Sequence, residues 1–115
     1  MVSIRNQILK LRGNFMQIQN SIEKKIKAEL NPELLQIENE SGKHGFGHGQ
    51  ESHFKITVVS NHFVEMKKII RHRCLYQLLA SEIEDGVHAL ALHLYTPQEW
   101  EKVILEFPRR YISQK

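Results

Sequence analysis

A glycine-rich stretch, SGKHGFGHGQES at 41–52, constrains the fold of this chain more than any other feature. It holds Gly42, Gly45, Gly47 and Gly49, four of the six glycines. Glycine carries the largest ordering cost of any residue, so the stretch reads as a loop rather than as a helix or strand interior. On its N-terminal side Leu35, Ile37 and Asn39 alternate with Gln36, Glu38 and Glu40. On its C-terminal side HFKITVVS, 53–60, puts Phe54, Ile56 and Val58 on one face. Alternation on both flanks predicts two strands joined as a hairpin with a long tip.

The remaining segments are helical or strand-like in turn. Ile18, Ile22, Ile26 and Leu30 recur at helical spacing and predict an amphipathic helix over 17–30, closed by Asn31-Pro32. Residues 64–84 are helical in composition, with Met66, Ile69, Ile70, Cys74, Leu78 and Leu79 as the apolar stripe and Asp85-Gly86 as the stop. VHALALHLY, 87–95, is apolar on both faces, which places this strand inside the sheet. Thr96-Pro97-Gln98-Glu99 spells a capping box with proline at the first helical position. The helix it opens runs to about Phe107, with Trp100 as an anchor.

The order α-β-β-α-β-α is that of an α+β sandwich: a small three-stranded sheet with helices packed on one face. A chain of 115 residues supplies one such domain, assigned to 16–107. It is preceded by an extension, 1–15, and followed by a basic tail, 108–115. The extension carries Arg5, Lys10 and Arg12 and no acid, and lacks the apolar core of a secretory signal. One reading starts the native chain at Met16, with Arg12-Gly13 encoded by a translated ribosome-binding site. Without the three basic residues of this extension, residues 16–115 carry 13 basic and 13 acidic residues and are formally neutral, so their general attraction to nucleic acid is weak. Lys67, Lys68, Arg71 and Arg73 nevertheless form a local basic patch. No apolar run is long enough to span a membrane.

The chemistry-bearing residues do not suggest catalysis. There is no phosphate-binding glycine loop with its lysine and no nucleophile elbow. Cys74, the lone cysteine, lies on the expected apolar stripe and reads as an inert small hydrophobe. Gly42-Lys43-His44-Gly45 matches the GxxG pattern, but it joins two strands where a KH domain's loop joins two helices. Seven histidines remain. His53 and His72 fall within ordered elements and read as structural. His44 and His48 lie in the loop, and His88 begins the third strand just after the Asp85-Gly86 turn. Imidazole suits zinc, copper and iron, yet so few histidines leave a metal site needing ligands from another molecule.

Several segments taken in order resemble the BolA family. They are Glu40-Ser41-Gly42-Lys43-His44, Ser52-His53-Phe54-Lys55, Val58-Val59-Ser60 with Phe63, Arg71-His72-Arg73, Val87-His88-Ala89-Leu90, and Thr96-Pro97-Gln98-Glu99-Trp100. The resemblance implies a class II KH-like fold without the GxxG loop. It also implies that the 64–84 stretch is broken into a short turn and a longer helix opened by Arg71-His72-Arg73. The family often carries glycine where this chain has Glu65, a position that would then take positive φ at a cost.

Two non-enzymatic functions follow from the resemblance. The first is pairing with a monothiol glutaredoxin to share a [2Fe–2S] cluster. The partner's cysteine and a glutathione thiol would ligate on one side, and His88 with His44 on the other, His48 being the spare candidate. Such nitrogen ligation is similar to that of Rieske centres. The isolated protein, a monomer or weak homodimer in a bacterial cytoplasm or, as the alternative, an organelle matrix, would hold no cluster. The second is DNA binding by a transcription regulator of stress response and cell morphology, through Lys67, Lys68, Arg71 and Arg73.

Overall fold

The computed structural model describes residues 16–41 and 51–107; the loop glycines with His44 and His48, the extension and the basic tail lie outside the described residues. Among the described residues, four helices and three strands follow in the expected order, with one short helix more than expected between the second and third strands. They are α1 (Gln17–Leu30), β1 (Leu34–Asn39), β2 (His53–Val59), a 3-10 turn (Asn61–Phe63), α2 (Lys68–Leu78), α3 (Ala80–Glu84), β3 (Ala89–Tyr95) and α4 (Pro97–Glu106). The architecture is the mixed α+β one the pattern predicts.

The sheet order is β1-β2-β3. β1 and β2 pair antiparallel, with Ile37 opposite Ile56, as a hairpin requires. β2 and β3 pair parallel, with His53 opposite Ala89, so α2 and α3 form the crossover between them. β2 is therefore the central strand, and β3, expected inside the sheet, is an edge. Its apparent two-faced apolarity comes from alanines: Leu92 and Leu94 are buried, whereas Ala89, Ala91 and His93 are exposed. Alanine counts as apolar in a pattern but buries little surface.

One face of the sheet carries the core. Phe54, Ile56 and Val58 of β2 meet Ile22, Ile26 and Leu30 of α1, Leu92 and Leu94 of β3, and Leu75 and Leu79 from the crossover. The opposite face, expected to carry no helix, is partly covered by α4: its Trp100 and Val103, with Phe107 just past its end, line a groove of about 240 Å³ with Gln36, Thr57 and His93. The Tyr95 and Trp100 rings lie 5.3 Å apart, centre to centre.

The 64–84 stretch is interrupted, as the family resemblance implies, but the longer helix opens at Lys68 rather than at Arg71-His72-Arg73, which lie in its second turn. Glu65 takes φ of 65° in the turn before α2, the left-handed conformation that suits glycine. The face of α2 also differs from the apolar stripe. Ile69 is 64% exposed and Ile70 38%, while Arg71 and Leu75 are buried. Cys74 is half-buried, not a core residue. A helix rotates to bury whatever satisfies the core, and here a charged residue is satisfied there. At the end of α1, Asn31 adopts the left-handed conformation, and its N–H bonds the Lys27 carbonyl at 3.2 Å. Asparagine tolerates this geometry at a helix end.

Two buried charged groups tie the helices together. Glu82 of α3 accepts from Ser21 Oγ and from Lys25 Nζ, the latter at 2.9 Å, both on α1. Burial pushes the Glu82 carboxyl up, but the Ser21 and Lys25 bonds outweigh it and hold it below the usual carboxylate range. Arg71 joins α2 to β3 and α4. Its Nη1 and Nη2 grip both oxygens of Glu99 at 2.6 and 3.1 Å. Nη1 also reaches the Leu94 carbonyl at 3.2 Å, and Nε the Met66 carbonyl at 3.0 Å. Glu99 completes the expected capping box as well, accepting the Thr96 N–H at 2.9 Å.

The hydrogen bonds from Arg71, opposed by partial burial and aided by the Thr96 N–H and the nearby charges, lower the Glu99 carboxyl to about 2. A carboxyl lowered on folding stabilises the fold above its unfolded value of 4.5, and this contribution fades as pH falls towards 2. Glu99→Gln is therefore expected to flatten the acid limb of stability between those pH values. Urea melts at stepped pH would measure this, and parallel acid limbs for the two chains would refute it.

Candidate functional site

The histidine expected to ligate sits at a fixed point of the backbone with its side chain in solvent. His88 is exposed and follows buried Val87. Its N–H donates to the Ser52 carbonyl at 2.7 Å, and the Ala89 N–H donates to the same carbonyl at 3.1 Å. Gly86, at φ of 127°, makes the turn that brings the chain there from α3. Beside His88 lies a shallow, largely apolar depression of about 280 Å³, walled by Tyr76, Ile83, Val87 and Leu90. Tyr76 is 45% exposed, so the depression opens on an aromatic rim.

Ser52 is the hinge of the site. Its carbonyl holds His88, and its N–H donates to Ser41 Oγ at 3.0 Å. The His53 N–H donates to the same oxygen at 3.1 Å, and the Ser41 N–H donates to Asn39 Oδ1 at 3.0 Å. Both serines are buried. Ser41 and Ser52 bracket the glycine-rich loop, so both loop ends are clamped together and joined to the backbone of His88. His44 lies three positions beyond Ser41, about 10 Å of chain at full extension. His44 and His48 themselves lie outside the described residues.

A third anchor follows Ser52's neighbour. Glu51 reaches across to the start of α1, accepting from the Ile18 N–H at 3.0 Å and the Gln19 N–H at 2.8 Å. Met16, at the N-cap position, offers no side-chain cap. A carboxylate at a helix N-terminus satisfies orphan donors and complements the dipole. None of these clamps was legible as a sequence motif. The only hint was the serine at each end of the glycine run.

The other histidines divide as follows. His53 is half-buried, with Nδ1 2.9 Å from Ser52 Oγ and its ring centre 6.3 Å from that of His88. The His72 Nδ1–H donates to the Lys68 carbonyl at 2.9 Å. These are the bonded roles expected of both. His62 and His93 are exposed. Among the described residues, no three His, Cys, Asp or Glu side chains gather into a metal-holding group. A metal centre held at His88 therefore draws further donors from elsewhere.

The basic patch survives in part. Lys67, Lys68 and Arg73 are exposed on α2 and its approach. Arg71 is 4% exposed and committed to Glu99 and two carbonyls, and its guanidinium carbon lies 5.7 Å from the Phe63 ring centre. It is not presented to a phosphate. The rule that placed it on a solvated face counts every arginine as a surface charge. Among the described residues no helix is long and apolar enough to cross a membrane.

Comparison with known proteins sets this geometry among relatives. The profile of the BolA family, described as BolA-like protein, matches residues 26–99. The DNA-binding transcriptional regulator BolA of Haemophilus influenzae is 51% identical over 86 residues, 75% of this chain and 84% of its own. The protein of the same description from Vibrio cholerae is 48% identical over 91 residues, covering 79% and 86%. The solved structure of BolA1 from Arabidopsis thaliana superposes with a TM-score of 0.66 at 37% identity, over 70% of this chain and 92% of that one.

Proposed function

This chain belongs to the BolA-like protein family, and on that premise we propose that it pairs with a monothiol glutaredoxin and holds a shared [2Fe–2S] cluster through His88 and His44. The observation that carries the reading is the clamp: an exposed imidazole whose backbone is hydrogen-bonded to the base of the histidine-bearing loop. The donor set fits. His88 offers one nitrogen in solvent, the loop offers His44 with His48 as the alternate, and a partner's thiolates would complete the cluster. Bound there, the cluster would supply electron or iron–sulfur transfer chemistry. The chain's own part is to present the His88 imidazole from a backbone held at the loop base, with the depression between Tyr76 and Leu90 as a seat for apolar partner surface beside it. Nothing in this role asks the chain to make or break a covalent bond in a substrate, so it is a binding module and not an enzyme.

Visible circular dichroism of a glutaredoxin-bound [2Fe–2S] cluster, titrated with this protein, tests the proposal. The spectrum is expected to change and to saturate at one equivalent with the wild type, and to stay unchanged with His88→Ala. Retention of the change by His44→Ala would transfer the loop role to His48. An unchanged spectrum with the wild type would reject the cluster role.

A second reading, DNA binding, is favoured by the description of the bacterial relatives and by the exposed Lys67, Lys68 and Arg73. Such residues bind phosphates and carry no sequence information directly. On this reading, replacing the three with alanine weakens DNA binding and reduces its salt slope by roughly one for each phosphate left without its cation. Arg71 contributes nothing to either quantity.

A further inference from the structure

We propose that the groove between α4 and the outer face of the sheet binds a nucleobase. Its floor is a row of polar side chains at one level of the three strands. Gln36 of β1 lies opposite Thr57 of β2, and Thr57 lies opposite His93 of β3. Neighbouring strands stand about 4.8 Å apart, so the row spans about 10 Å. The wall is Trp100 of α4, with Phe107 just past the helix end. The open space between wall and floor is about 240 Å³, below the roughly 300–1,000 Å³ of pockets for drug-sized molecules. Its size suits one flat ring system.

The floor is uncommitted within the chain. Among the described residues, the side chains of Gln36, Thr57 and His93 make no hydrogen bond or ion pair. Thr57 is only 8% exposed and lines the groove from the central strand. A position buried to this degree ordinarily holds an apolar or hydrogen-bonded side chain. An amide, a hydroxyl and an imidazole offer donors and acceptors together, which matches the mixed edge of a base and not a hydrocarbon. An aromatic wall supplies the stacking that every base can use. At one end of the groove Lys55 stands opposite Glu38 across β1 and β2. Their charges offset, so the groove selects the base and gives little to a phosphate. That separates it from Lys67, Lys68 and Arg73, whose attraction would be to phosphates. The groove shares no residue with the histidine site or with that patch, so the inference rests on neither reading.

Trp100 is the only tryptophan, so its fluorescence reports the groove in the full chain. Saturable quenching is expected with adenosine and with adenosine monophosphate, and none with ribose 5-phosphate. Affinity for the monophosphate should fall less than threefold between about 50 and 200 mM salt. Thr57→Val, which keeps the side chain's shape and removes its hydroxyl, should weaken adenosine binding at least fivefold with an unchanged far-ultraviolet spectrum. His93→Ala, at an exposed position, should do the same, and Gln77→Ala on α2 should leave binding as it was. A single-stranded oligodeoxyadenylate bound more than tenfold tighter than the monophosphate assigns the site to a base within a strand; a smaller difference assigns it to a free nucleotide. No saturable quenching below about 1 mM, quenching by ribose 5-phosphate, or an affinity within twofold of the wild type in both floor variants would overturn the site.

Discussion

Arg71→Ala is expected to cost about 3 kcal/mol of folding stability and more than roughly 10 °C in Tm. The guanidinium is buried and makes four bonds: two to Glu99 and one each to the carbonyls of Met66 and Leu94. Removing it strands the two carbonyls and leaves the Glu99 carboxylate without its partner. Glu99 is 39% exposed on its side chain, so water recovers part of that loss, which keeps the expected cost at the lower end for a buried pair. Arg71→Lys should rescue little, because an ammonium cannot reproduce the planar two-pronged grip. Denaturant melts measure both variants. A loss below about 1 kcal/mol for Arg71→Ala would mean that the pair behaves like an ordinary surface salt bridge. The functional corollary is direct: weakened DNA binding by an Arg71 variant would report instability, not the removal of a phosphate-binding group.

Phe63→Ala is expected to cost more, about 4 kcal/mol. Phe63 is fully buried although it belongs to a 3-10 turn of three residues, Asn61–Phe63. The turn is held by Ser60, whose Oγ accepts the His62 N–H at 3.0 Å and donates to the Leu30 carbonyl at the end of α1. A ring removed here leaves a cavity that helix and strand cannot close, since the turn is pinned from both sides. For a domain whose total stability is of the order of 5–15 kcal/mol, such a variant lies near the edge of folding. Equilibrium urea unfolding decides it, and a cost under about 2 kcal/mol would show that the turn collapses into the gap.

These two residues also mark where sequence reasoning succeeds and where it stops. Phe54, Ile56 and Val58 were legible as one buried face because alternation is a local property of a strand. Thr96 and Glu99 were legible as a cap because the capping box closes within a single helical turn. The face of α2 was not legible, because it depends on a partner far along the chain: Arg71 is buried only because Glu99 meets it. Counting apolar residues then turned Ile69 and Ile70 inward, where the structure leaves them exposed. The place of β3 in the sheet was misread for a related reason, since pattern alone weighs Ala89 and Ala91 like leucines.

The candidate site divides in the same way. His88 stood out by its position after the Asp85-Gly86 turn. The network of Ser41, Ser52 and Glu51 that gives the position its rigidity joins residues from three separate segments, and no spacing rule announces it.

The Glu51 contact makes the first turn of α1 a remote gauge of the loop base. Fraying at a helix start is governed by whether its leading amides have acceptors, and the acceptors for Ile18 and Gln19 sit one residue from the Ser52 hinge. Solvent-exchange protection of those two amides therefore rises or falls with the order of the loop base itself. An event that tightens the base slows their exchange while the helix centre, sealed by Ile22 and Ile26, keeps its own rate. The histidine loop can thus be followed by isotope exchange at the two backbone amides of α1 that Glu51, near its end, engages.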